Sequence, residues 1–225
     1  MTTSIIVAIC LLLIPLYASI KLNYNYSKYR KIKSKKGLTG YDVAKKILDK
    51  NGLTSIYIIS TPGKLTDAYD SNRKTLRLSE EVYKGDSIAS IAVAAHESGH
   101  ALQDATQYKW FMVRHKIYPV VSIGEKMAMW VLIIGLVLRS IDFIYAAVAL
   151  MGFALAFEVI TLPVELDASK RALKLIQEYD IVEKKELDGA KRMLKSAAFT
   201  YVAAILATLG QMLYYLASAN SDRRK

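Results

Sequence analysis

His96-Glu97-Ser98-Gly99-His100 is led in by Ile91, Ala92, Val93, Ala94 and Ala95 and followed by Ala101, Leu102 and Gln103. No proline or glycine breaks the lead-in, so residues 87–103 read as one small-residue, apolar helix. On a helix, side chains four apart lie on one face, about one turn up. Two imidazoles so placed can offer nitrogens to a single zinc ion. Glu97, beside the first of them, can reach a water polarised by the ion without binding the ion itself. The chain has three histidines, and two of them fall in this pattern around a glutamate. Burying that set on an apolar helix with no partner would be expensive, so chance is a poor explanation.

A catalytic zinc takes three protein ligands and keeps one position open. The third is not adjacent in sequence. Thr106 stands where an extended metzincin pattern would put a histidine. His115, between Arg114 and Lys116 and ahead of an apolar run, reads as a polar interface residue, with oxyanion stabilisation as the alternative. The single cysteine, Cys10, lies inside the first apolar run, so there is neither a thiolate cluster nor an intramolecular disulfide. A downstream glutamate remains. Glu158 sits about one turn inside an apolar run, where an ionisable group is a functional candidate by default. Glu165 opens the charged stretch after Pro163. The pattern leaves both open.

That requirement bears on the fold, because the third ligand must return to the same membrane face as the helix. Of the 225 residues, 53% are hydrophobic, yet the charges come in blocks between long apolar runs, as in a membrane protein with aqueous segments. Residues 1–20 read as a retained N-terminal transmembrane anchor, since no basic side chain precedes the run as a signal peptide would require. Lys21, Lys28, Arg30, Lys31, Lys33, Lys35 and Lys36 follow before any acid, placing the N-terminus outside and the next segment in the cytoplasm. Residues 21–119 form the catalytic region, and residues 120–162 a transmembrane hairpin (120–138 and 143–162) turning near Arg139. Residues 163–196 are a charged cytoplasmic helical segment, 197–218 a fourth transmembrane helix and 219–225 a basic tail. The hairpin's two crossings bring either glutamate back to the side of the two histidines. Four spans leave Arg223, Arg224 and Lys225 outside, against the positive-inside rule, so the last run either tolerates the short tail or dips and returns. The net charge of +11 fits an anionic membrane surface and, with no nucleic-acid motif beside it, argues against nucleic acid as a partner.

Within the catalytic region, Thr39 with Asp42 resembles a capping box for a short helix that Asn51 and Gly52 stop. Residues 55–60 read as a strand, Pro62-Gly63 as a turn, a second extended stretch ends near Tyr69, and residues 74–78 read as another strand. Asp67 and Asp70 are read as turn formers without a catalytic role. A helical region begins at Ser79.

The chain resembles a known family, the neutral zinc metallopeptidases of bacterial membranes (YugP-type), over nearly its whole length. The resemblance runs through Gly37 to Gly40, Leu65 to Asp70, Leu76 to Ser79, Ala94 to Gln103, Leu162-Pro163-Val164-Glu165-Leu166-Asp167-Ala168-Ser169 and Thr200 to Ala204. It implies a gluzincin-like membrane peptidase with one zinc ion, and it favours Glu165 over Glu158 as the third ligand. Better-known gluzincins carry an aspartate four residues after the ligand glutamate, to orient a zinc-bound histidine. Here that position is Ser169, which can serve only weakly, and Asp167 falls nearly on the opposite side of a helix.

The resulting expectation is a mainly α membrane protein of the cell membrane, multi-pass, with about four transmembrane helices and a small α+β zincin-like unit on the cytoplasmic side. His96, His100 and Glu165 would hold zinc, and Glu97 would be the catalytic base of a metalloendopeptidase acting on a peptide or membrane-protein substrate among membrane lipids. Arg171, His115 and Tyr201 are candidates to stabilise the oxyanion, with Arg171 equally readable as a basic residue at the membrane surface. The strand around residues 74–78 either pairs with an extended substrate or only completes the sheet. The rival readings are a non-catalytic adaptor stapled by zinc and a zinc hydrolase of non-peptide substrates.

Overall fold

The computed structural model describes residues 2–222, with side chains at Leu11 and from residue 13 to residue 220. Met1 and the basic tail residues Arg223, Arg224 and Lys225 lie outside the described residues, as does the Cys10 side chain. In chain order the elements are α1 (Thr2–Tyr29), α2 (Gly40–Lys50), β1 (Tyr57–Thr61), β2 (Ala68–Asp70), β3 (Thr75–Ser79), α3 (Glu80–Lys84), α4 (Ile88–Ala105), α5 (Lys109–Leu138), α6 (Ile141–Glu178) and α7 (Lys184–Asp222). The chain divides into an apolar unit (1–19, 112–163 and 199–225) and a mixed unit (20–111 and 164–198).

The mixed unit is built on local signals that agree with one another. Thr39 and Asp42 close a reciprocal capping box at the start of α2: the Asp42 amide donates to Thr39 Oγ1 at 3.2 Å and the Thr39 amide to Asp42 Oδ2 at 2.9 Å. Val43, Ile47 and Leu48 form the buried stripe of that helix. At its end Gly52 takes a φ of +72°, which a side chain would resist.

The three strands order as β1-β3-β2, with β1 parallel and β2 antiparallel to β3. Alternation sends Leu76 and Leu78 of β3 into the core while Thr75 and Arg77 stay half-buried. The hairpin from β2 to β3 is set by Asp70, whose Oδ1 accepts from the amides of Asn72 and Arg73, both at 3.1 Å. Lys74 then sits at φ +47°, so the strand proper begins one residue later. Ser79 begins the short α3, but its hydroxyl gives no cap. With its amide it instead donates to Asp67, which anchors the end of β3 to the start of β2.

α4 starts at Ser87, whose hydroxyl accepts from the Ser90 amide at 3.1 Å. It is buried along nearly its whole length and crosses the core against Leu76, Leu78, Val82, Ala172 and Ile176. Residues 164–198 belong to the mixed unit, on helices that are continuous with their apolar neighbours. α6 continues through Pro163 to Glu178, and α7 opens at Lys184 and runs without a break into the apolar residues after 196. A proline inside a helix costs about 3 kcal/mol. Here the following turns bury Val164, Ala168, Ala172 and Ile176, which offsets that cost.

In the apolar unit, α5 and α6 form a hairpin whose turn places Arg139 at φ +52° and returns the Ser140 amide to the Gly135 carbonyl. Among the described residues three helices, Lys109–Leu138, Ile141–Glu178 and Lys184–Asn220, are long and apolar enough to cross a membrane.

Gly99 is where the helix backbones meet within the mixed unit. A Cβ there would lie 2.7 Å from the Ala168 carbonyl oxygen, so α4 and α6 touch main chain to side-chain-free surface. Gly99→Ala is expected to lower stability by about 1–3 kcal/mol through overpacking. Gly152→Ala, whose new methyl would meet only Met212 at an ordinary 4.0 Å, is expected to change little, and thermal unfolding in detergent compares the two. Asp67→Ala strips buried Ser79 of its acceptor and is expected to cost about 1–3 kcal/mol in the same assay.

Candidate metal centre

α4 turns His96 and His100 to one face, with their ring centroids 4.7 Å apart and the rings nearly perpendicular. α6 brings Glu165 to that face. Its Oε2 lies 3.2 Å from His96 Nε2 and 3.6 Å from His100 Nε2, and the carboxylate side chain is only 6% exposed. One donor atom from each of the three residues falls within 4.8 Å of the others. A tetrahedral zinc with bonds of about 2.0–2.2 Å separates its ligand atoms by roughly 3.3–3.5 Å. The observed spacings bracket that value, and two imidazoles with one carboxylate are a donor set zinc accepts. The residues fit the ion.

Glu158 is not part of this group. It belongs to the apolar unit, where its Oε1 accepts from Thr208 Oγ1 at 3.0 Å. His115 and Tyr201 also belong to that unit.

Glu97 and Glu165 have different electrostatics. Burial pushes the Glu97 carboxyl up to about 7, with His96 and a hydrogen bond from the Tyr69 backbone opposing the rise and Glu165 and Asp67 adding to it. For Glu165 burial acts the same way, but the flanking His100 and His96 imidazoles outweigh it and hold the carboxyl well below its usual range. One carboxylate stays ionised facing the imidazoles, while the other is poised to take up or release a proton near neutrality.

The imidazoles' other nitrogens are occupied too. His96 Nδ1 lies 3.2 Å from Ser169 Oγ, the position where the gluzincin pattern has an aspartate. His100 Nδ1 lies 2.9 Å from Oε1 of the fully buried Gln103. Sequence reasoning did not single out Gln103. Its spacing of three from His100, which puts both on one helix face, was the available signal. Asp167 Oδ2 accepts from Gln103 Nε2 at 2.9 Å and from Arg171 Nε at 2.7 Å. The Arg171 guanidinium is thus engaged with Asp167, and its Nη1 reaches Thr106 Oγ1 at 3.4 Å, an arrangement that suits support better than oxyanion binding. A further buried carboxylate, Asp104, accepts from Tyr69 Oη at 2.7 Å and Lys74 Nζ at 2.6 Å, which ties the β2–β3 hairpin to α4.

A sequence model of the family described as "Putative neutral zinc metallopeptidase" matches residues 4–220. A curated relative, "Putative membrane protease YugP" of Bacillus subtilis (strain 168), is 41% identical over 200 residues, covering 89% of each chain. No solved structure matches the chain. With its family model spanning nearly the full length and a donor set of the kind zinc takes, this chain belongs to the neutral zinc metallopeptidase family.

Proposed function

We propose that the chain is a membrane-held zinc metalloendopeptidase of gluzincin type, in which His96, His100 and Glu165 hold the ion and Glu97 handles the protons. The observation that carries this reading is the approach of Glu165 Oε2 to 3.2 and 3.6 Å from the Nε2 atoms of the two imidazoles. Bound zinc supplies Lewis acidity, which polarises a peptide carbonyl and lowers the pKa of a water towards about 7. Glu97, next to His96 in sequence but outside the donor group, takes a proton from the attacking water and passes it to the leaving amine. Its raised pKa matches that exchange near neutral pH. Among the described residues the group holds three donors rather than four, which favours an open catalytic site over a closed structural staple.

Of the two readings of residues 74–78, completing the sheet is the one that holds, and a substrate strand cannot join β3. β3 is the central strand, paired on both sides. β2 is an edge, and its Tyr69 backbone already bonds Glu97, so an extended peptide pairing along β2 would lie beside the base.

The basic residues after the first apolar run support a multi-pass protein with α1 as a further span and the metal centre on the cytoplasmic side. A single cysteine introduced at Lys64 in a Cys10→Ser background is then expected to react with a membrane-impermeant maleimide only after permeabilisation. One introduced at Ser140 is expected to react from outside. The reverse pattern inverts the topology.

Purified wild type is expected to carry one zinc per chain and to cleave a general substrate such as fluorescent casein. Glu97→Gln should keep the zinc and lose about 10²–10⁴-fold or more in turnover. Glu165→Ala and His96→Ala should lose the metal, and Glu158→Ala should keep it. Proteolysis persisting in Glu97→Gln would rule out the proposed chemistry.

A further inference from the structure

We infer that Gln103 is a positioning residue that presets His100 for the metal, and that Asp167 and Arg171 hold Gln103 in the one orientation that does so. The inference rests on the zinc reading of the site and adds residues that never touch the ion.

Which atoms can donate decides how the Gln103 amide is turned. Gln103 is fully buried one turn after His100. Its Nε2 lies 2.8 Å from the Val164 carbonyl oxygen and 2.9 Å from Asp167 Oδ2. Both partners only accept, and an amide NH2 has two hydrogens for them. Turning the amide over would set its oxygen against two acceptors in a buried place, an arrangement that forfeits both bonds and adds repulsion. Oε1 therefore faces His100, and an amide oxygen only accepts. The hydrogen in the 2.9 Å contact belongs to His100 Nδ1. With Nδ1–H held by Gln103, Nε2, the nitrogen facing Glu165, is the one that gives up its proton and presents its lone pair when an ion binds.

Asp167 is held in turn. Arg171 Nε donates to the same Oδ2 at 2.7 Å, its Nη1 reaches Thr106 Oγ1, and its guanidinium lies 5.8 Å from the centre of the Tyr108 ring. A carboxylate oxygen paired to arginine is a fixed acceptor, which makes it a reliable anchor for the amide. His96 lacks this arrangement. Its Nδ1 faces the Ser169 hydroxyl, which donates or accepts equally well and so fixes no tautomer. The two ligands are thus unequal, one preset and one adaptable. Gln103 also bonds the carbonyl of Val164, the residue before Glu165, so the same amide that orients His100 fixes the turn of α6 that presents the carboxylate.

With three histidines in the chain, imidazole ¹⁵N–¹H correlation spectra of the full-length protein in detergent are assignable by single substitutions. They are recorded after EDTA treatment at about pH 8.5, two units above the ordinary imidazole pKa. Wild-type His100 is expected to show the Nδ1–H pattern. Gln103→Leu should lose that pattern, and its zinc affinity, measured by chelator competition, should fall about 10–100-fold. Ser169→Ala should leave the His100 pattern intact. The wild-type spectrum needs no variant, so a misfolded Gln103→Leu does not shield the inference. Wild-type protein that binds zinc but shows no proton on His100 Nδ1 overturns the relay and leaves the peptidase reading standing. Wild-type protein that binds no zinc overturns both.

Discussion

The close approach of α4 and α6 at Gly99 is the constraint on which the candidate centre depends. Only a residue without Cβ lets the Ala168 carbonyl come so near, and that contact sets the distance between the helix carrying the imidazoles and the helix carrying the carboxylate. A displacement of one methyl group would be felt at once, because interiors are packed to crystal-like density. Ala94, Ala95, Ala101 and Ala172 extend the same logic, since small side chains on both helices keep the backbones close while larger ones fill the rest of the core.

Such closeness buries polar groups that must then find partners. Glu97, Glu165, Gln103, Asp104 and His100 are all nearly or fully buried. Each is tied to another element rather than to its own helix alone: Glu97 to the Tyr69 backbone, Glu165 to the imidazoles, Gln103 to α6 and Asp104 to Tyr69 and Lys74. Buried polar networks of this kind are costly when incomplete and rigidifying when satisfied. A catalytic metal site needs that rigidity, because its ligand atoms must hold their spacing with or without substrate.

The second histidine's partner shows how one chemical task admits different solutions. His96 meets the Ser169 hydroxyl, which can donate or accept. His100 receives a one-way acceptor, backed by a carboxylate and a guanidinium.

The sequence by itself determined the elements whose signals are local. The capping box at Thr39, the hairpin turn at Asp70, the helix through His96 and His100 and the turn near Arg139 all depend on residues within a few positions of one another. It also narrowed the third donor to two glutamates without a physical means of choosing, because the choice turns on which helix face meets α4. Packing decided the rest: Glu165 comes to the imidazoles while Glu158 pairs with Thr208. Packing likewise placed β3 between its neighbours, carried α6 through Pro163 and spent Arg171 on Asp167. Side-chain periodicity reports which residues share a face, whereas the partner of that face is fixed only by contacts between segments far apart in the chain.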